Sequence, residues 1–251
     1  MLLPLLLAAA GPTDAGILAL ERREDGRACL PDGGLCLQIL DSADGGALAI
    51  SAPEIAADVA QPLPALADGG TAELWPHLIA LSVLSGDPPG VRRYAAGILD
   101  RQMASYSGGG GSAARLHLYE LVLGADPRLG TELLDVDWDS SLLIRACFSE
   151  QDARDRLDAC QDEYDFRAEL SAAPPTEGSR FPVLTYRAVA TAFPRTSRRS
   201  QDNSAAKLRH ADLVRAEDPG CTYRRTLRYN PATLRYEMDR PPPDCSDYMA
   251  P

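Results

Sequence analysis

The chain has 251 residues and carries 36 acidic side chains against 25 basic ones, a net charge of −11. The imbalance lies early: residues 1–140 hold 8 basic and 19 acidic side chains, while residues 141–251 hold 17 of each. A surface of that sign repels phosphate backbones and excludes nucleic acid as a partner of the first part, and the length suffices to bury a sizeable core.

The chain opens with an apolar run, Leu2 to Ala10, of about ten residues, the length of a signal-peptide core and far short of the ~20 needed to span a bilayer. Ala8, Ala9 and Ala10 supply the small residues a signal peptidase reads, so residues 1–10 are expected to be removed before Gly11, with a second option near Ala15. The leader lacks Lys and Arg, but the cysteines argue separately for the same periplasmic or secreted compartment. No later segment is long and apolar enough for a transmembrane helix. Residues 11–251 are read as one disulfide-stabilised β domain.

Hydrophobic alternation dominates over helical periodicity. Leu35–Leu40, Ala47–Ser51 and Leu78–Leu84 are short apolar runs bounded by Gly, Asp and Pro. Between the first two and the third, Pro53–Leu74 is rich in Ala, Pro and Gly and reads as a loosely patterned connection, residues 53–74. Two strands near Arg93–Asp100 and Ala114–Val122 flank Ser107–Ser112, whose four consecutive glycines are expected to mark a flexible hairpin tip. Ser149–Cys160 reads as a short helix, with Ser149 as N-cap and Glu150 and Asp152 in its first turn. Asp165–Ala172 and Val183–Ala192 flank a Pro-Pro turn, and a weaker helix is expected within Ser204–Ala216. A last hairpin joins Thr222–Tyr229 to Leu234–Met238 through an Asn-Pro step. The fold class expected is mainly β, an antiparallel meander of hairpins forming a sandwich, barrel or small propeller, with one short disulfide-clamped helix.

The six cysteines fall as near neighbours: Cys29 and Cys36 flank a turn, Cys147 and Cys160 bracket the proposed helix, and Cys221 and Cys245 bracket the last hairpin. Sequence allows fifteen pairings; local pairing is expected, each bond stabilising by roughly 2–4 kcal/mol. No CxxC is present and no histidine lies close to a cysteine, so neither a metal nor a redox centre is implied.

The remaining chemistry is sparse. His77, His117 and His210 are scattered; His117 reads as a cross-strand partner, and His210 with Asp212 lacks a serine or cysteine in a nucleophile context. Asp135, Asp137 and Asp139 would share one face of a strand, attractive to Ca²⁺ if Asp158, Asp162 or Glu163 joined them, though a solvated acidic strand is the simpler reading. Arg195, Arg198, Arg199, Lys207, Arg209 and Arg215 give a locally basic loop, read as a solvated connection. Tyr223, Arg225, Tyr229, Arg235 and Tyr236 crowd the last hairpin and form the candidate binding patch, since Tyr and Arg dominate binding hot spots.

No cofactor is implied. The expected function is that of a non-enzymatic binding module of the cell envelope recognising a protein or glycan. The alternatives are an extracytoplasmic hydrolase using His210, Asp212 or the Asp135–Asp139 carboxylates, and a structural envelope protein. A histidine brought together with two carboxylates in one cleft would favour the hydrolase.

Overall fold

The computed structural model describes residues 16–40, 46–55, 57–64, 70–174 and 176–249; the expected leader, residues 1–10, lies outside them. The strands begin with β1 (Ile17–Ala19), β2 (Glu21–Arg22), β3 (Ala28–Cys29), β4 (Cys36–Leu40), β5 (Ala47–Ser51) and β6 (Val59–Pro62). Four long strands follow: β7 (Thr71–Leu81), β8 (Arg92–Tyr106), β9 (Gly109–Leu123) and β10 (Arg128–Arg145). After helix α1 (Glu150–Asp155) come β11 (Gln161–Ala172), β12 (Leu184–Phe193), β13 (Ala216–Glu217), β14 (Tyr223–Asn230), β15 (Arg235–Met238) and helix α2 (Ser246–Met249). The described residues are thus mainly β, with two short helices among them. The segment 53–74, read as a connection, contains β6 and the start of β7, and Ser204–Ala216 forms only a 3₁₀ turn at His210–Asp212.

All pairings are antiparallel. Strands β2 to β6 form a five-stranded meander, and the larger sheet runs β1-β7-β8-β9-β10-β11-β12-β14-β15, with β13 alongside β12. Strands β7, β8 and β9 serve two cores because side chains alternate across a strand. Their Leu78, Tyr94, Ile98 and Leu121 pack with Leu35, Leu37, Leu48 and Ile50 of the small sheet. Their opposite faces, with Trp75, Ala95, Leu116 and Leu118, pack with Phe166, Leu170, Tyr186 and Leu227. Each of these buried leucine and isoleucine side chains contributes roughly 1.5–3 kcal/mol.

Strand β10 makes the second core possible. It pairs with β9 along most of its length but with β11 only from Asp139 onward. One extra residue on β10 between Asp137 and Asp139 forms a bulge, which bends the strand. Its first half therefore parts from β11, and the later strands turn back toward it. Tyr186 donates its hydroxyl to the Asp137 carbonyl at 2.6 Å, and Arg235 pairs with Glu132 at 2.8 Å. The sheet rolls over itself without its ends joining in a ladder, so the described strands do not close a barrel. The bulge also corrects the expectation of three carboxylates on one face. Asp135 and Asp137 meet Arg115, whereas Asp139 turns to Arg101 at 2.8 Å.

Three disulfides join Cys29 to Cys36, Cys147 to Cys160 and Cys221 to Cys245, with Cα separations of 4.0, 4.8 and 5.7 Å. Cys29 and Cys36 are direct cross-strand neighbours in the β3–β4 hairpin. Helix α1 follows a capping box: Ser149 Oγ accepts the Asp152 amide, and the Asp152 carboxylate accepts the Ser149 amide at 2.9 Å. The helix ends at Asp155, before Cys160, because Leu157 and Asp158 adopt positive φ. The glycine tract departs from expectation. The β8–β9 turn lies at Ser107 and Gly108, and Gly109, Gly110 and Gly111 belong to β9. A Cβ at Gly109 would run into the Leu143 carbonyl and one at Gly111 into the Ser141 carbonyl, so close backbone approach replaces the expected flexible tip.

Candidate functional site in the strand seam

The gap between the first half of β10 and the returning hairpin β14–β15 holds a pocket of about 400 Å³, within the range of small-ligand sites. Its apolar lining comes from Tyr186, Tyr223, Leu227 and Tyr236, of which only Tyr223 is partly exposed. Pro241 and Pro242, just past β15, border it. Alternation on β14 directs Tyr223, Arg225, Leu227 and Tyr229 to one side, as the sequence pattern requires, and that side faces the core.

The charged groups line up by register. On β9, Arg115 stands opposite Asp137 and His117 opposite Asp135. Arg115 Nε donates to Asp135 at 3.0 Å, and the same guanidinium donates to Asp137. Burial pushes the Asp137 carboxyl above its ordinary range, against the pull of Arg115, and the neighbouring Asp135 adds to the rise. Burial likewise raises the Tyr186 phenol, which stays protonated as a donor to the Asp137 carbonyl. Glu237 and Arg240 lie on the opposite rim. Hydrogen bonds from Asn230 and Thr233 hold Glu237 below its ordinary range and therefore ionised. Three carboxylates thus face two guanidinium groups.

Beside the pocket, His117 Nδ1 lies 2.6 Å from Glu132 and 3.9 Å from Asp135. The other Glu132 oxygen takes Arg235, so His117, Glu132 and Arg235 form a polar chain across the seam. The imidazole stacks on Tyr119 with centroids 6.4 Å apart, and burial lifts the Tyr119 phenol to about 12. None of the hydrogen bonds to His117 comes from a serine, threonine or cysteine among the described residues.

The candidate patch on the last hairpin is divided by the fold. Tyr223 and Tyr236 line the pocket. Arg225 is buried, lies 4.8 Å over the Tyr223 ring and donates to the Pro241 carbonyl at 3.0 Å. Tyr229 stacks on Phe181 at 3.7 Å, and Arg235 is held by Glu132. His210 and Asp212 form no dyad: the Asp212 carboxylate accepts from the Arg209 backbone and side chain. The looser calcium set is dispersed, since Asp162 is buried against Arg156 and Glu163 pairs with Arg215. Sequence reasoning missed Arg115, Glu132 and Tyr186. The alternation Arg115-Leu-His117 against Asp135-Val-Asp137 held a usable signal, because charge complementarity of two strands suggests their pairing. A wider depression at Tyr106, Phe148 and the Cys147–Cys160 bond is open, and its Arg145 and Glu163 already have partners.

Comparison with known protein families, curated proteins and solved structures finds no match to this chain.

Proposed function

We propose that the chain is an exported, non-enzymatic binding module that recognises a partner protein through the seam pocket, which receives a basic anchoring side chain. The observation carrying this reading is the charge count within an aromatic enclosure. Asp135 and Asp137 share the single guanidinium of Arg115, so the β9–β10 wall of the pocket holds one more carboxylate than cation beside the tyrosine rings. Tyrosine faces beside carboxylates favour a cation, which gains from both the ring quadrupole and the ion pair. The net charge of −11 steers a basic partner toward the surface. Three disulfides support an extracellular setting.

The test is a titration followed by NMR of the tyrosine rings, using N-acetyl-arginine amide and its uncharged analogue N-acetyl-citrulline amide. Saturable shifts of Tyr223 and Tyr236 with the first probe alone, lost in Asp137→Asn, are expected. Equal responses to both probes, or none, would overturn the reading. Because Asp137 must be ionised to hold a cation, affinity falls with decreasing pH through a value above the ordinary aspartate range.

A hydrolase is the second reading, favoured by the convergence of His117 with Glu132 and Asp135. It requires a nucleophile or water near the imidazole, and His117→Ala would abolish any hydrolytic activity while sparing the arginine titration.

A further inference from the structure

Both tryptophans of the chain, Trp75 and Trp138, meet in a second cleft on another side of the roll. Local sequence explains why. Pro76 has no amide proton to give the ladder, and β7 carries two extra residues between Leu74 and Leu78 relative to β8. This bulge releases Trp75 and His77 from the β8 register, while His77 still pairs with Ala19 of β1. Trp75 lies against Gly97, where an added Cβ would sit 2.7 Å from the Trp75 Cβ, so the glycine gives the indole its seat. Trp138 arrives from the bent part of β10, its ring 5.7 Å from that of Trp75 at an interplanar angle of 82°. Ile17 and Leu170 add apolar walls, Glu169 stands at the edge, and the volume is about 370 Å³.

His77 makes the cleft more than a packing gap. Its Nδ1 is buried from solvent and has no hydrogen-bond partner among the described residues, an arrangement costly enough to call for an explanation. Its ring centroid lies 4.9 Å from that of Trp75. We propose that this cleft binds one ring of a neutral saccharide, its C–H face against the partly exposed Trp138 indole and its hydroxyls on the Glu169 carboxylate and on His77 Nδ1, which a turn of the imidazole uncovers. Two indoles held nearly perpendicular do not both stack on one flat aromatic ligand, whereas a pyranose offers apolar C–H groups and an edge of hydroxyls. The Glu169 carboxylate pairs with Arg187 at 3.4 Å, so this edge carries no net charge and suits a neutral sugar. Burial keeps the imidazole pKa low, so the ring is neutral and Nδ1 is free to accept or donate according to tautomer.

Since the chain has two tryptophans and both line this cleft, intrinsic fluorescence reports on it directly. The oxidised chain is titrated with maltotriose, cellotriose and chitotriose, following emission and heat. The expected result is a saturable response to at least one sugar, weakened about tenfold by Glu169→Gln and by His77→Ala, the loss of roughly one hydrogen bond to the ligand. Glu169 is exposed, so its variant keeps the fold even if His77→Ala does not. Arg154→Ala, exposed on α1 and part of neither site, leaves the response unchanged. No response to any of the three sugars by either method, or an undiminished response in Glu169→Gln, overturns the proposal.

Discussion

At the scale of single residues, the interior is held by a few polar groups that have no alternative partners. Arg156 is fully buried and donates to Asp162, to the Ala159 carbonyl at 2.9 Å and to the Asn203 carbonyl. Ser197 adds a hydrogen bond to the same Asp162 oxygen at 2.7 Å. This cluster fastens the irregular segment around Ser197 and Asn203 to β11. Arg156→Ala strands a buried carboxylate and should cost about 3–5 kcal/mol in denaturant unfolding, whereas Arg154→Ala, exposed on α1, should cost under ~0.5 kcal/mol. Equal effects from the two would contradict the assignment. Gly109 carries the opposite kind of constraint, on space and backbone: with φ of +151°, Gly109→Ala should expel β9 from its place beside Leu143 and lower the melting temperature sharply.

Among the elements, those with local causes were legible from sequence. The hairpins β8–β9, β11–β12 and β14–β15 follow from turn residues between alternating runs, and all three disulfides join neighbours along the chain. Elements whose cause is distant were not. Strand β10 is legible in sequence only as an acidic run, because its continuity depends on β9 supplying Arg115 and His117 opposite the aspartates. The glycines of β9 looked like a tip because nothing in their own sequence reveals the carbonyls crowding them. The seam pocket was half legible: Tyr223 and Tyr236 stood out, but Tyr186 and Arg115 reach them only through the roll of the sheet. The Cys147–Cys160 bond anchors α1 and its flanking turn to the β10–β11 pair. Replacing both cysteines with alanine should cost about 2–4 kcal/mol without altering the far hairpin β14–β15 in hydrogen exchange. Loss of protection across the whole sheet would contradict a local clamp.

Over the whole molecule, electrostatics join regions that the ladders leave apart. Asp87, in the loop after β7, accepts from Arg180 at 2.8 Å, from Arg93 at 2.9 Å and from the Leu84 amide at 2.8 Å. The Arg180 contact above all holds the Asp87 carboxyl far below its ordinary range. A depressed folded-state pKa stabilises above the unfolded value, and that contribution is lost as pH falls through the ordinary carboxylate range toward the folded value. Asp137 behaves oppositely. Its raised pKa favours the fold below the ordinary range and loses that advantage as pH rises through the folded value. Melting followed from neutral to acid pH should therefore fall, and Asp87→Asn should flatten the decline. An unchanged slope would remove Asp87 from this role.

The most direct test of the seam as a protein-binding site is affinity capture from culture or periplasmic extract with the oxidised chain, beside Asp137→Asn and Tyr223→Ala. A partner retained by the native chain, released by added arginine amide and by salt, and absent from both variants is the predicted result. The same proteins retained by all three baits, indifferent to arginine amide, would contradict it.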